Sequence, residues 1–137
     1  MNNNSLNNII IKEREALVKL LKLLEEQHNR LIKNDIFGLE EIVGVIQGCN
    51  KEIAEAEVER RKLVEGKSMR ELINSSKDEV LDNNYRSIQK LLNEVIVQKD
   101  TNEMLIKQGL GFSTRMLNIL NPDRNTKTYN SYGKMGR

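Results

Sequence analysis

One pair of residues in the chain has the spacing of a metal-binding motif. Glu25 and His28 form a Glu-x-x-His step, the pattern that two helices of a bundle supply to a di-iron centre. A second step of this kind is impossible because the sequence contains a single histidine. We therefore expect no metal site, and we place His28 at the flank of a helix seam.

Two glycine-containing stretches resemble nucleotide-binding loops only in part. Residues 66–68, Gly-Lys-Ser, match the end of a P-loop, but Arg61 stands where the first glycine of that loop belongs and no strand precedes it. Gly109 and Gly111 lie within a helical pattern rather than after a strand. Neither stretch predicts a cofactor.

Cys49 is the one candidate nucleophile of its type. It occupies a seam position of a predicted helix, where cysteine acts as a small buried hydrophobe, and an activating base is missing because His28 belongs to another predicted helix. A single cysteine also excludes an internal disulfide framework. No convergent set of titratable residues emerges, so we expect a protein that is not an enzyme.

The composition is typical of long helices. Charged residues make up 31% of the 137 residues and aromatic residues 4%, a balance that suits one long-helix bundle better than a compact mixed core. The formal net charge of +2 is too small to favour nucleic-acid binding. No signal segment and no apolar run of 18 residues is present, so we expect a cytoplasmic protein without membrane insertion.

Apolar residues recur every seven positions and predict three long helices, at about residues 5–33, 35–65 and 77–120. A short helix is predicted at about residues 69–74, after the capping box of Ser68 and Glu71. The seam of the first helix consists of Ile10, Leu17, Leu24 and Leu31, flanked by Leu6, Leu20 and Leu21. The rows of the second are Leu39, Ile46 and Ile53, and Ile42, Cys49, Ala56 and Leu63.

Glycines and polar residues mark the ends of these helices and their close contacts. Asn34 or Asp35 is expected to cap the second helix, and Ser76 the long one. Gly66 suits a left-handed C-cap. Gly44 and Gly48 would permit close approach of a neighbouring helix.

The long helix is the element around which the rest is organised. Its predicted seam consists of Leu81, Tyr85, Ile88, Leu92, Val95, Leu105, Phe112, Met116 and Ile119. Gln98 and Asn102 interrupt this seam, either as a solvated layer or as a device that fixes helix register. At a rise of about 1.5 Å per residue the helix would be roughly 65 Å long, against about 45 Å for each of the other two.

Short connections predict that consecutive helices are antiparallel neighbours, with the second helix along the first and the long helix along the second. The fold class is therefore all-α, an antiparallel long-helix coiled-coil bundle over residues 1–120 with a disordered tail over residues 121–137. Beyond Lys107 the long helix would pass its partners. The uncovered apolar residues, which we expect to bind a partner protein, are Leu110, Phe112, Met116, Leu117, Ile119 and Leu120. The short helix, a bend or a second copy of the chain could cover them instead.

The end of the chain contains two particular motifs, Leu117-Asn-Ile-Leu-Asn-Pro122 and Thr128-Tyr129-Asn-Ser-Tyr-Gly133, and the second includes a Tyr-x-x-x-Gly spacing. With these motifs and its long-helix layout, the chain resembles over its whole length the FlgN-type export chaperones of the bacterial flagellum. This resemblance implies a cytosolic chaperone that binds the C-terminal helical segment of the hook–filament junction proteins, also called hook-associated proteins. It also implies that the C-terminal helix region binds this cargo, and that Tyr129 docks on the cytosolic domain of the export gate.

One other class of function remains open at this point. The same pattern suits a homo-oligomeric structural coiled coil, in which the uncovered helix ends of two copies pair with each other. The family resemblance and the residue pattern both favour the chaperone, with no cofactor and with other proteins as its partners.

Overall fold

A computed structural model describes residues 3–109 of the chain, which form four helices and no strand. The helices are α1 (Asn3–Ile32), α2 (Ile36–Val64), α3 (Met69–Ser76) and α4 (Glu79–Gly109). The predicted all-helical class, with three long helices and one short one, is confirmed for this part of the chain. The predicted continuation of the long helix to residue 120 and the tail over residues 121–137 lie outside the described residues.

Helix α1 is the central element because three of its rows are buried. One row contains the predicted seam, of which Leu17 is 2% exposed. Another row contains Ile9 and Ala16, and the third contains Leu6, Glu13, Leu20 and Gln27. Two rows suffice to pack against one helix, so the third allows α1 to pack against a second one.

Both α2 and α4 pack on α1, and this arrangement corrects one prediction. The main contacts of α4 are with α1, not with α2 as the short connections suggested. The apolar core accordingly lies along α1 and includes Cys49 and Ala56 from α2 and Ile88 from α4. Helix α3 intervenes between α2 and α4 and touches α4, so these two long helices are not joined by one tight turn.

Side-chain pairs give the helix directions. Lys19 Nζ lies 3.3 Å from Glu52 Oε1 and Lys12 Nζ 3.6 Å from Glu59 Oε1, so α1 and α2 are antiparallel. Asn7 Nδ2 donates to Asp78 Oδ2 at 3.0 Å, and further along α1 Arg14 Nε donates to Ser87 Oγ at 3.1 Å. Helices α1 and α4 are therefore parallel.

A mostly buried ion pair joins α1 to α2. Arg60 Nε lies 2.6 Å from Glu13 Oε1, and the Glu13 side chain is only 7% exposed. A carboxylate in such a position requires a positively charged partner. The pair thus fixes Glu13, a member of a buried row of α1, against α2.

The helix ends depend on local capping groups. Asp35 Oδ1 accepts from Gly38 N at 2.9 Å, and Ser68 Oγ accepts from Glu71 N at 3.4 Å. Gly66 has φ +80°, as the predicted left-handed cap requires, but the residue before it is left-handed as well. The cap of α4 is Asp78, whose Oδ1 accepts from Leu81 N at 3.2 Å.

The predicted cap Ser76 has another role. It lies at the end of α3, where its hydroxyl donates to Ile73 O at 2.9 Å and accepts from Asp78 N at 3.2 Å. Ser76 therefore closes α3 and orients the residue that caps α4. A carboxylate suits that cap better because it also interacts with the positive end of the helix dipole.

The seam of α4 differs from its predicted course at one position. Its buried residues are Leu81, Ile88, Val95 and Asn102, seven apart. Leu92, which the period placed on the seam, is 42% exposed, and the neighbouring Leu91 packs against the core instead. Within residues 3–109, no helix is long and apolar enough to cross a membrane.

The first turn of α2 gives a testable stability difference between two glycines. A Cβ at Gly38 would stand 2.2 Å from Asp35 Oδ2 and 3.1 Å from Arg30 Cδ, whereas a Cβ at Gly44 or Gly48 meets nothing within 4 Å. The close helix approach expected at Gly44 and Gly48 is therefore wrong for the described part of the chain.

We expect Gly38→Ala to lower the free energy of unfolding by about 1 kcal/mol, because the methyl group displaces the Asp35 cap. The control Gly44→Ala should raise it by up to about 1 kcal/mol, since alanine is the better helix former. Urea denaturation of both variants measures the difference. A stabilised Gly38→Ala protein would contradict the role of the cap.

Candidate functional site

The predicted partner-binding residues follow the described part of α4. All six lie outside the described residues, and so does the predicted docking residue Tyr129. The six are Leu110, Phe112, Met116, Leu117, Ile119 and Leu120. The structure does describe the end of α4 that leads to them. This end has two features, a polar cluster between α4 and α1 and several exposed apolar side chains nearby.

The polar cluster is centred on Asn102, which is 1% exposed. Its Nδ2 donates to Leu24 O and to Gln27 Oε1, each at 2.9 Å. Its Oδ1 accepts from Gln98 Nε2 at 3.0 Å and lies 3.3 Å from His28 Nδ1. Because the carbonyl of Leu24 can only accept a hydrogen bond, the amide orientation of Asn102 is fixed.

This cluster speaks against one of the two interpretations of the polar seam residues, the solvated layer at Asn102. Asn102 and Gln27 are buried and bonded to each other, so no solvated layer separates α1 from α4 here. His28 lies at the edge of the same cluster, and Gln98 Nε2 is 3.4 Å from its Nδ1. The histidine that the Glu-x-x-His spacing singled out thus contacts amides of α4.

The pairings between the parallel helices show where α4 passes α1. Asn7 pairs with Asp78 and His28 with Asn102, at sequence separations of 71 and 74. Offsets of 71 to 74 place Ile32, the last residue of α1, beside residues 103–106 of α4. Helix α4 therefore passes the end of α1 near its last described turn.

Exposed apolar side chains surround this end of the molecule. On α4, Ile96 is 54% exposed, Val97 64% and Met104 54%. At the end of α1, Ile32 is 64% exposed, and at the start of α2, Phe37 is 82% exposed. We call these five residues the exit surface, because they lie on the C-terminal half of α4 and at the ends of α1 and α2 that the turn at residues 33–35 joins.

Arg30 stabilises the turn that precedes Phe37. The guanidinium donates from Nη1 to Gly38 O at 2.5 Å and lies 3.2 Å from Glu41 Oε1. Its hydrogen bond to Glu26 is the main cause of a raised pKa of Arg30, although desolvation acts in the opposite direction. The charged state of Arg30 therefore keeps the start of α2 against the end of α1.

The period analysis missed the exit surface because it searched for residues that fit the heptads. Val97 and Phe37 fall outside the buried rows, so they contribute nothing to a seam. The available signal was their misfit, since large apolar residues on the polar side of an amphipathic helix indicate a surface that contacts something else. Met104 carried that signal most clearly, near the end of α4.

The remaining candidate chemistry is absent or buried in the described residues. Cys49 is 1% exposed, and its Sγ donates to Ala16 O at 3.3 Å. Burial is the main cause of the raised pKa of Cys49, with a smaller contribution from Glu52. Within residues 3–109, no group of three or more His, Cys, Asp or Glu side chains could hold a metal ion.

We expect Cys49 to be inert in the folded protein. A thiol reagent at pH 8 should label it only after urea is added, because the thiolate is the reactive species and both burial and the raised pKa disfavour it. Rapid labelling without urea, measured by mass spectrometry, would mean that α2 detaches readily from α1.

The same shift predicts a pH dependence of stability. The pKa of Cys49 in the folded protein exceeds its unfolded value of about 8.5. The stability that this difference contributes is complete below the unfolded pKa and is lost as the pH rises through the folded pKa. The free energy of unfolding should decrease between pH 8 and pH 10. In Cys49→Ala that part of the decrease should disappear, and an unchanged profile would contradict the assignment.

Comparison with known proteins gives one match. Neither the curated proteins nor the solved structures contain a match to this chain. The model of one protein family, described as FlgN protein, matches residues 1–137, the whole chain. Because this match covers the whole chain, the chain belongs to the FlgN family.

Proposed function

We propose that this protein is a cytosolic export chaperone that binds the C-terminal helical segment of hook–filament junction proteins and delivers them to the flagellar export gate. The observation that carries the proposal is the match of the FlgN family over the whole chain, which indicates a flagellar chaperone. The exit surface supports it, because exposed apolar residues suit a protein that covers the apolar stripe of another.

The proposed cargo-binding segment follows α4 directly. It comprises Leu110, Phe112, Met116, Leu117, Ile119 and Leu120. In the proposed mechanism their side chains pack on an amphipathic helix of the cargo, which prevents its aggregation and premature assembly. The proposed docking residue for the export gate is Tyr129, within the Tyr-x-x-x-Gly spacing.

The expected affinity is moderate. Six apolar side chains at about 1.5 to 3 kcal/mol each give a gross gain on the order of 10 kcal/mol on full burial. Much of this gain is offset by the loss of rotational and conformational freedom on association. The remainder suits a complex that forms and is released again at the export gate.

The test is calorimetric titration of two proteins with the C-terminal segment of a junction protein from the same bacterium. One is the intact chain, and the other is truncated after Ile106. We expect heat of binding from the intact chain alone, because the truncation removes the proposed segment. Circular dichroism checks that the truncated chain is still helical, and equal binding by both proteins would exclude the segment as the cargo site.

A homo-oligomeric coiled coil is the alternative, and the exposure of Ile96 and Met104 on α4 is the observation that favours it. In that case two copies would cover each other's exit surface. Sedimentation analysis distinguishes the two functions. A stable dimer that dissociates only on unfolding, together with no binding of the junction segment, would favour the coiled coil.

A further inference from the structure

The buried row of α4 changes character at its last member. Leu81, Ile88 and Val95 are apolar, and the fourth position is Asn102. Among the α4 side chains whose burial the structure describes beyond Val95, this amide is the buried one. At this position α4 is therefore held to α1 by hydrogen bonds rather than by an apolar contact.

These hydrogen bonds are specific to one register. Both Nδ2 protons of Asn102 are donated to acceptors on α1, and its Oδ1 faces Gln98 and His28. If α4 shifted by a turn, the amide would face aliphatic side chains of α1 such as Leu23 or Leu31 and lose these partners. A buried amide without partners is strongly disfavoured, whereas a leucine would tolerate either register.

We infer that Asn102 is a positioning residue: its amide fixes the register of α4 where the helix leaves the bundle, and it thereby sets how the following segment is presented to cargo. Only the second part of this inference, the presentation of the segment to cargo, rests on the proposed function. A single buried Asn that fixes register at some cost in stability is known from coiled coils. Here the paired element is the buried Gln27 of α1.

The test replaces the amides by apolar residues of similar size in the full chain. The double variant Gln27→Leu with Asn102→Leu removes donor and acceptor together, so the thermal midpoint should be unchanged or raised. Spin labels at exposed Lys22 and Lys107, each changed to Cys in a Cys49→Ala background, report the register by pulsed electron paramagnetic resonance. The single variant Asn102→Leu is measured in the same way.

The expected result is a second label distance, displaced by up to about 5 Å, since one helical turn is about 5.4 Å. Binding of the junction segment should weaken at least tenfold although the thermal midpoint does not fall. A purely stabilising role for Asn102 would instead lower the midpoint and leave a single distance.

Two outcomes would overturn the inference. One native distance in both variants would exclude a register role, and two distances with unchanged cargo affinity would exclude the positioning role. If the unmodified chain binds no junction segment, the proposed function fails, and the label distances alone then decide whether Asn102 fixes the register.

Discussion

Phe112→Asp and Met116→Asp are each expected to weaken cargo binding by at least about 100-fold while the thermal midpoint stays nearly unchanged. A carboxylate in an apolar interface must be desolvated without a partner, which costs several kcal/mol, and each 1.4 kcal/mol is about a tenfold change in affinity. Calorimetric titration with the junction segment measures the affinity, and circular dichroism the midpoint.

The matched control is Val58→Asp. Val58 is an apolar residue of α2 whose side chain is 50% exposed. It lies far from the exit surface, next to Glu59, which pairs with Lys12 of α1. Binding should be unaffected by this change. A large fall in the midpoint for Phe112→Asp would instead mean that the residue belongs to the core of the protein.

Leu17→Ala is expected to lower the free energy of unfolding by about 3 kcal/mol, within the range for buried leucines. Leu17 is 2% exposed and lies midway along the helix that both α2 and α4 contact. A cavity there affects both helix pairs at once. Urea denaturation with an unchanged slope would attribute the loss to the folded state.

Leu92→Ala provides the comparison for this prediction. The period placed Leu92 on a seam, but its side chain is 42% exposed, so its truncation should cost less than about 1 kcal/mol. If Leu92→Ala proved as damaging as Leu17→Ala, the seam of α4 would run through Leu92 after all.

The sequence predicted the helices well because heptad spacing is a local property. The members of the α1 seam, from Ile10 to Leu31, are all buried, and Cys49 and Ala56 lie in the core as their row required. Capping residues were harder to place. Ser76 and Asp78 both have capping side chains, and only the observed path of residues 76–78 distinguishes them.

The heptad pattern did not show which helices pack against each other. The rule that short connections join neighbours failed for α4 because α3 separates it from α2. The presence of three buried rows on α1, one of them with Ile9 and Ala16, was the relevant signal. That row contains an apolar residue and a small one, and it becomes recognisable only when the rows of α1 are compared with each other rather than with a single partner.

The candidate site was predictable to different degrees. Asn102 was identified as an exception to its row, but its partner Gln27 was not, because glutamine in a helix usually faces solvent. Phe37 of the exit surface does not fit any row and so was passed over in favour of residues that do. The proposed cargo-binding residues depend on the family resemblance together with an apolar pattern.

The central place of α1 has a consequence for synthesis of the chain. Its α2 side can be covered as soon as the α1–α2 hairpin has left the ribosome, whereas its α4 side pairs residues more than 70 positions apart. Contacts of such long sequence separation form late. During translation, a row of leucines on α1 therefore stays open to water until almost all of the described chain has emerged, so the nascent protein passes through a stage that is itself prone to aggregation.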